Sequence, residues 1–410
     1  MLDHTENNLL LLFKKVRTRT KDLIINLYPE DTVIQTESFV SPTKWHLAHT
    51  TWFFENFILK ENLKSYKIFD KNYNYLFNSY YNSVGVYNDK NKRGFVSRPF
   101  LEDIINYRDY VDRYIEDFFS NSNNLLNHKF ALQLGINHEE QHQELILMDI
   151  LNVFFNNPLK PNFSNNQIII KNESINDEWK NFSKTTLKYG FNGEGFCYDN
   201  ETPSGEIELT DFQIQTNLVS NEDWKDFINN DGYNRHEFWL SDGWDYIKQN
   251  KIERPLYWID DQYNFTLNGL SKIKNNQPVS HISFYEADAY ARYRKKRLPT
   301  EFELELCLLK SEKQGNFLEN TIYEPIGGKD QNNFFGDLWS WTSSNYTPYK
   351  NYQPFGEKFV EYNGKFMCNQ FVLKGGSCIT PIDHIRSSYR NFYYPGDRWQ
   401  FSGLRLANDI

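Results

Sequence analysis

The sequence predicts an α+β chain, a helical N-terminal bundle followed by a mixed, loop-rich second half. Three observations predict it. Apolar residues recur at helical spacing through the first ~155 residues. A polar, Asn-rich stretch from Asn156 to Asn192 then breaks the pattern. Beyond it Gly, Trp and Tyr become frequent, and turn dipeptides separate short segments. At 410 residues the chain exceeds the ~100–200 of one ordinary domain, so each half can bury a core of its own. The expected division is a bundle at 1–160, a linker at 161–190 and a second domain at 191–410.

Taken in order, Leu9 to Leu27 is amphipathic, and Ser41-Pro42-Thr43 reads as a helix start with proline at a tolerated early position. An apolar and aromatic segment runs from Trp45 to Leu59. Pro99 to Phe119 and Phe130 to Phe155 both carry helical spacing. Four such helices predict an up-down bundle, whose cofactor sites are built from inward side chains on facing helices. In the second half only Ser220–Asn230 and Ser283–Arg294 read as helices. Asn192-Gly193, Asp242-Gly243 and Asn363-Gly364 read as turns, and Ile168-Ile169-Ile170 is one short apolar run inside the linker.

Composition narrows the function. Aromatic residues make up 17% of the chain, which argues for packed cores despite a mean hydropathy of -0.71. A net charge of -9 argues against nucleic acid as a partner, because phosphate binding needs a concentrated basic face. No apolar run reaches the ~18–20 residues that span a bilayer, so no membrane partner is expected. Met1 to Glu6 lacks the basic-then-apolar pattern of a secretory signal. Cys197, Cys307, Cys368 and Cys378 are scattered without CxxC spacing, and the expectation is a reduced, cytoplasmic protein.

The strongest chemical signal is His138-Glu139-Glu140-Gln141-His142. At 100° per residue, positions i and i+4 lie about 40° apart on one helix face, so both imidazoles can reach one ion. The bland reading is a pair of hydrogen-bonded histidines. The same pentapeptide matches HExxH, in which Glu139 would be the general base of a zinc hydrolase. His46 and His49, on the second helix, are candidates for a third ligand. Three neutral imidazoles suit zinc or iron. Gln141 lies about 80° to one side of the His138/His142 face and can reach toward a substrate at the metal. Glu144 lies about 140° away and reads as a packing or bracing residue.

Ser41-Pro42-Thr43-Lys44-Trp45-His46-Leu47-Ala48-His49, with His138-Glu139-Glu140-Gln141-His142-Gln143-Glu144, resembles the sulfoxide synthases of ergothioneine biosynthesis, the EgtB family. The second half carries matching segments: Pro278 to Tyr290, Arg297-Leu298-Pro299-Thr300-Glu301, Gly336-Asp337-Leu338-Trp339-Ser340-Trp341-Thr342, Lys374-Gly375-Gly376-Ser377 and Phe401 to Leu406. The resemblance covers nearly the whole chain. It implies a DinB-like four-helix bundle followed by a C-type-lectin-like domain of the formylglycine-generating-enzyme type that completes the active site. It further implies Fe(II) held by His49, His138 and His142, with His46 a packing residue. The implied reaction is the O2-dependent joining of a thiol sulfur to C2 of the imidazole of hercynine, with oxidation to a sulfoxide.

The resemblance also assigns substrate contacts. Gln141 would orient the hercynine imidazole, and Asn391, Phe392 and Tyr393 correspond to a stretch lining the trimethylammonium pocket, where aromatic faces favour a cation. Family members that use γ-glutamylcysteine carry an Asp where this chain has Tyr393. Asn78-Ser79-Tyr80-Tyr81-Asn82-Ser83-Val84-Gly85 instead resembles the branch that takes free cysteine, with Tyr80 and/or Tyr81 as proton donor. Arg93 and Arg98 are then candidates for the cysteine carboxylate, because guanidinium binds carboxylates bidentately. A selenoneine synthase and a 5-histidylcysteine sulfoxide synthase would share this architecture. A formylglycine-generating enzyme proper is disfavoured, since Cys378 lacks a second cysteine at the expected spacing. A zinc hydrolase and a non-catalytic lectin-like binding protein stand as readings from other classes.

Overall fold

The computed structural model describes residues 6–165, 178–327 and 334–410. The readings of Met1 to Thr5, of the Ile168-Ile169-Ile170 run and of residues 166–177 of the linker at 161–190 lie outside the described residues. The chain is mixed α+β, with a helical N-terminal region and a sheet-containing C-terminal region. It divides into two compact units. The N-terminal unit is Met1–Phe163 with Glu194–Phe196, and the C-terminal unit is Ser164–Gly193 with Cys197–Ile410.

In the N-terminal unit, four long helices carry the core: α1 (Glu6–Asp22), α2 (Thr43–Phe54), α5 (Leu101–Phe119) and α6 (Ser122–Asn156). Between them lie a π-helical turn at Glu55–Leu59 and the short helices α3 (Lys60–Asn62) and α4 (Tyr73–Phe77). Every residue of α2 is buried, as expected of a helix that is apolar all round and packs against α5, α6 and α4 at once. Helix α6 begins eight residues earlier than its periodicity indicates, and non-helical angles at His128 mark a kink between that first stretch and the rest. Gly135, inside α6, governs how closely α2 approaches. A Cβ there would lie 2.4 Å from Cε1 of buried Phe54, so only glycine admits the Phe54 ring.

In the C-terminal unit, strands β1 (Trp179–Phe182), β4 (Phe212–Gln215) and β11 (Ala407–Asp409) form one antiparallel sheet in the order β1-β4-β11. A second sheet has the order β10-β7-β8-β9, from Ser402–Gly403, Trp339–Asn345, Phe371–Lys374 and Asn391–Tyr393. Two hairpins complete the strands, β2 (Thr185–Tyr189) with β3 (Gly205–Leu209) and β5 (Tyr263–Thr266) with β6 (Gly269–Lys272). The expected helices at 220–230 and 283–294 are α7 (Asn221–Asn229) and α9 (Phe284–Tyr293), each opened by a Ser capping box.

Two further helices, α8 (Ser241–Gln249) and α10 (Glu301–Leu309), correct the sequence reading. Asp242-Gly243 is no turn but the first turn of α8. A Cβ at buried Gly243 would lie 2.9 Å from Cδ1 of Tyr285, so this glycine serves close packing rather than chain reversal. In α10 the buried carboxylates are paired. Glu305 accepts from Lys374 Nζ at 2.7 Å, and Glu301 from Arg390 Nε at 2.8 Å, which ties the helix to the β7–β9 sheet. The four cysteines form no disulfide, and Cys378 is buried. Among the described residues no helix is long and apolar enough to cross a membrane.

Candidate metal centre

Helix α6 presents two opposed sets of side chains. One stripe carries His138 and His142, and Asp149, seven residues on, returns to within about 20° of His142 on the same face. This stripe meets His49 of α2. The three histidines are buried, and one ring nitrogen from each lies within 4.8 Å of the others. Ring centroids are 5.0 Å apart for His49–His138, 4.9 Å for His49–His142 and 4.6 Å for His138–His142. One ion could draw this set together at the ~2.0–2.1 Å of a metal–imidazole bond.

Neighbouring groups orient these rings. His49 Nδ1 lies 2.6 Å from the Phe77 carbonyl, which can only accept, so its proton sits on Nδ1 and Nε2 keeps a lone pair. His142 Nδ1 lies 2.7 Å from His46 Nδ1. Burial pushes the His49 and His142 imidazoles well below their ordinary range, and each is lowered further by the neighbouring histidines. Burial likewise brings His138 down to about 3, against the pull of Glu139. The rings are therefore neutral at physiological pH, the form that ligates a metal. The donor set is three nitrogens with no anionic ligand, so it fits zinc or iron.

The opposite side of α6 is clamped to α1 and α5. Glu139 accepts from Arg17 Nη1 at 2.6 Å, from Arg108 Nη2 at 2.7 Å and from Thr20 Oγ1 at 2.6 Å, and it is fully buried. Burial raises its carboxyl, but Arg108 and Arg17 outweigh burial and hold it down to about 2. Glu140 accepts from Arg19 Nη2 at 2.5 Å. Gln143 Nε2 donates to the Val16 carbonyl at 2.9 Å. Both glutamates of the pentapeptide thus fix the rotation of α6 that aims His138 and His142 at α2. A hydrolase base needs a carboxylate free to take a proton near neutrality. Glu139 is neither free nor basic enough.

Around the histidines the other expected residues separate. Trp45 stacks on His49 at 4.5 Å and 12°, and the Arg93 guanidinium lies 3.4 Å over Trp45. Arg93 is buried and donates from Nη1 to Ser41 Oγ at 2.9 Å. Among the described residues its Nε has no partner and no carboxylate lies at ion-pair distance, and burial lowers it to about 9 against the pull of Asp149 and Asp89. Trp52 flanks His49 at 5.5 Å, then Tyr81 meets Trp52 at 5.6 Å, and Tyr80 stacks on Tyr81 at 4.7 Å. Tyr81 is fully buried and Tyr80 half-buried. Gln141 is half-buried and Glu144 buried. Arg98 is exposed, its guanidinium 4.4 Å over Phe100, and is not brought to this cluster.

In the C-terminal unit, Asn391, Phe392 and Tyr393 form β9 and are half-buried. Phe392 stacks on Tyr346 at 4.1 Å and 9°, and Tyr393 meets Trp399 edge-on at 5.3 Å. Asn391 Oδ1 accepts from the Phe392 backbone N–H at 3.0 Å.

His46 corrects the sequence reading. It is not a packing residue, because both its ring nitrogens are hydrogen-bonded, to His142 and to Asp149 Oδ2 at 3.0 Å. Asp149 was missed altogether. Its signal was available as the i+7 position after His142 on one helix stripe.

A family profile described as "Sulfatase-modifying factor enzyme 1-like domain" matches residues 183–410. The chain is 28% identical over 323 residues to the hercynine oxygenase of Mycolicibacterium thermoresistibile, covering 68% of this chain and 69% of that protein. It is 28% identical over 308 residues to the hercynine oxygenase of Mycobacterium tuberculosis, covering 68% and 72%. Ergothioneine biosynthesis protein 1 of Schizosaccharomyces pombe is 26% identical over 234 residues, covering 52% of this chain and 28% of that protein.

Proposed function

We propose a function from one premise: the chain belongs to the sulfatase-modifying factor enzyme 1-like family, and it is EgtB-like. On our reading it is a cytoplasmic iron(II)-dependent sulfoxide synthase. It joins the sulfur of cysteine to C2 of the hercynine imidazole at the expense of O2. One oxygen atom ends on sulfur and the other leaves as water. The C–H and S–H bonds supply the two protons, and four electrons pass to O2. The observation that carries this reading is the buried set His49, His138 and His142, in a chain whose relatives include hercynine oxygenases. Bound there, iron supplies a site where O2 can be reduced beside an organic substrate.

The chain's own residues have separable parts in this reading. Trp45 and Trp52 hold the His49 ring between them, and the Phe77 carbonyl keeps its proton away from the metal side. Arg93, a buried cation with no ion-paired carboxylate among the described residues, would take the carboxylate of the thiol substrate. Tyr80 and Tyr81 would supply the proton, with half-buried Tyr80 the more accessible of the two. Gln141, Asn391, Phe392 and Tyr393 remain our candidates for hercynine. Residues 1–160 would be the DinB-like bundle. The zinc-hydrolase reading loses its base, because Glu139 is held by two arginines.

The test uses the full chain, loaded with Fe(II) under anaerobic conditions and then given hercynine and cysteine in air-saturated buffer. We expect O2 uptake and a product whose mass equals hercynine plus cysteine plus one oxygen less two hydrogens. Tightly bound zinc with peptide hydrolysis, and no O2 uptake, would overturn the reading.

A further inference from the structure

A buried carboxylate stands behind His142, linked to it through a second imidazole. His142 Nδ1 lies 2.7 Å from His46 Nδ1, and His46 Nε2 lies 3.0 Å from Asp149 Oδ2. All three side chains are buried. The same carboxylate oxygen accepts the backbone N–H of Ser41 at 2.8 Å, which pins it beside the start of α2.

These contacts determine where the protons sit. A neutral imidazole has one N–H, and a carboxylate can only accept. The proton of His46 therefore belongs on Nε2, facing Asp149. His46 Nδ1 is then a lone pair, so the bridging proton belongs to His142 Nδ1. His142 Nε2 is left bare for a metal. The opposite assignment sets a lone pair of His46 against the carboxylate at 3.0 Å and puts a proton on His142 Nε2, where it blocks coordination.

We propose that Asp149 and His46 are positioning residues that set the tautomer of His142 and thereby the metal affinity of the centre. The proposal rests on the reading of His142 as a ligand. Substituting Asp149 by asparagine offers His46 an amide that can donate as well as accept, and so admits the blocking tautomer. An asparagine at position 46 keeps an oxygen that can accept from His142 Nδ1, whereas leucine does not.

The test titrates the metal-free full chain with cobalt(II), followed by its visible absorption. The proteins compared are wild type, His46→Leu, His46→Asn, Asp149→Asn and the double variant His46→Leu/Asp149→Asn. Orienting partners of this kind typically contribute ~10–100-fold in metal affinity, and that is the loss expected for His46→Leu and for Asp149→Asn. His46→Asn should stay near wild type. The double variant should bind no more weakly than His46→Leu, because Asp149 acts through His46. Thermal unfolding of each metal-free variant identifies those that fold, and His46→Asn against Asp149→Asn decides the matter if His46→Leu does not. Wild-type affinity in folded Asp149→Asn or His46→Leu, or losses that add in the double variant, would overturn the relay alone. A wild-type chain that binds no cobalt would overturn the metal centre and the relay together.

Discussion

Glu139 shows how one residue separates two chemistries that share a motif. In an HExxH hydrolase the first glutamate faces the metal and takes a proton from water. That position lies about 80° from the two-histidine face in any such helix, and here its side chain is taken up by Arg17 and Thr20 of α1 and Arg108 of α5. There it neutralises Arg17 and Arg108. Glu139→Gln should therefore cost stability, about 3–5 kcal/mol, because buried Arg108 loses its ion-pair partner and Arg17 is left with Asp112 alone. Denaturant unfolding of the metal-free protein measures this. An unchanged midpoint with lost activity would return Glu139 to a catalytic part. The residues legible in the sequence were those set by geometry within one helix: i and i+4 placed His138 with His142, and Gln141 to one side. The tautomer of His142 was not legible. It depends on His46 and Asp149, which lie on different helices and meet only in the folded bundle.

At the scale of elements, the site depends on the approach of α2 to α6, and Gly135 permits it. Alanine would gain about 1 kcal/mol in helix propensity. Overpacking against the Phe54 ring should cost about 1–3 kcal/mol and push the helices apart. Gly135→Ala is expected to be net destabilising and to weaken metal binding, read by thermal unfolding together with cobalt titration. An increase in stability at unchanged affinity would contradict this account. The long helices were legible because their apolar stripes face one core. Helix α10 was not, because Glu301-Phe302-Glu303-Leu304-Glu305-Leu306 alternates like a strand. The alternation arises because Glu303 and Glu305 are buried against Arg297 and Lys374 rather than solvated. The Thr300–Glu303 capping box was the available signal. Helix α8 carries no capping side chain and has a glycine in its first turn, which hid it.

Over the whole molecule, the two units carry separate buried cores and their own acid sensitivity. In the C-terminal unit His281 is buried between Tyr257 and Phe401, and burial lowers it from 6.5 to about 3. The unfolded chain therefore binds this proton first as pH falls. The neutral buried ring contributes stability above pH 6.5 that is lost between about 6.5 and 3, by up to ~1.4 kcal/mol per pH unit. His281→Asn, a residue that tolerates the left-handed backbone at φ 61°, should flatten the acid limb of a stability–pH curve. An unchanged slope would remove His281 from that account. In the N-terminal unit the central claim is a single iron held by three histidines of α2 and α6. The most direct measurement is iron stoichiometry after anaerobic loading and desalting, for wild type and for His49→Ala, His138→Ala and His142→Ala, each with O2 uptake in hercynine and cysteine. The account predicts about one iron per chain in wild type, and loss of both iron and uptake in all three variants. Retained iron and uptake in any one of them would contradict it.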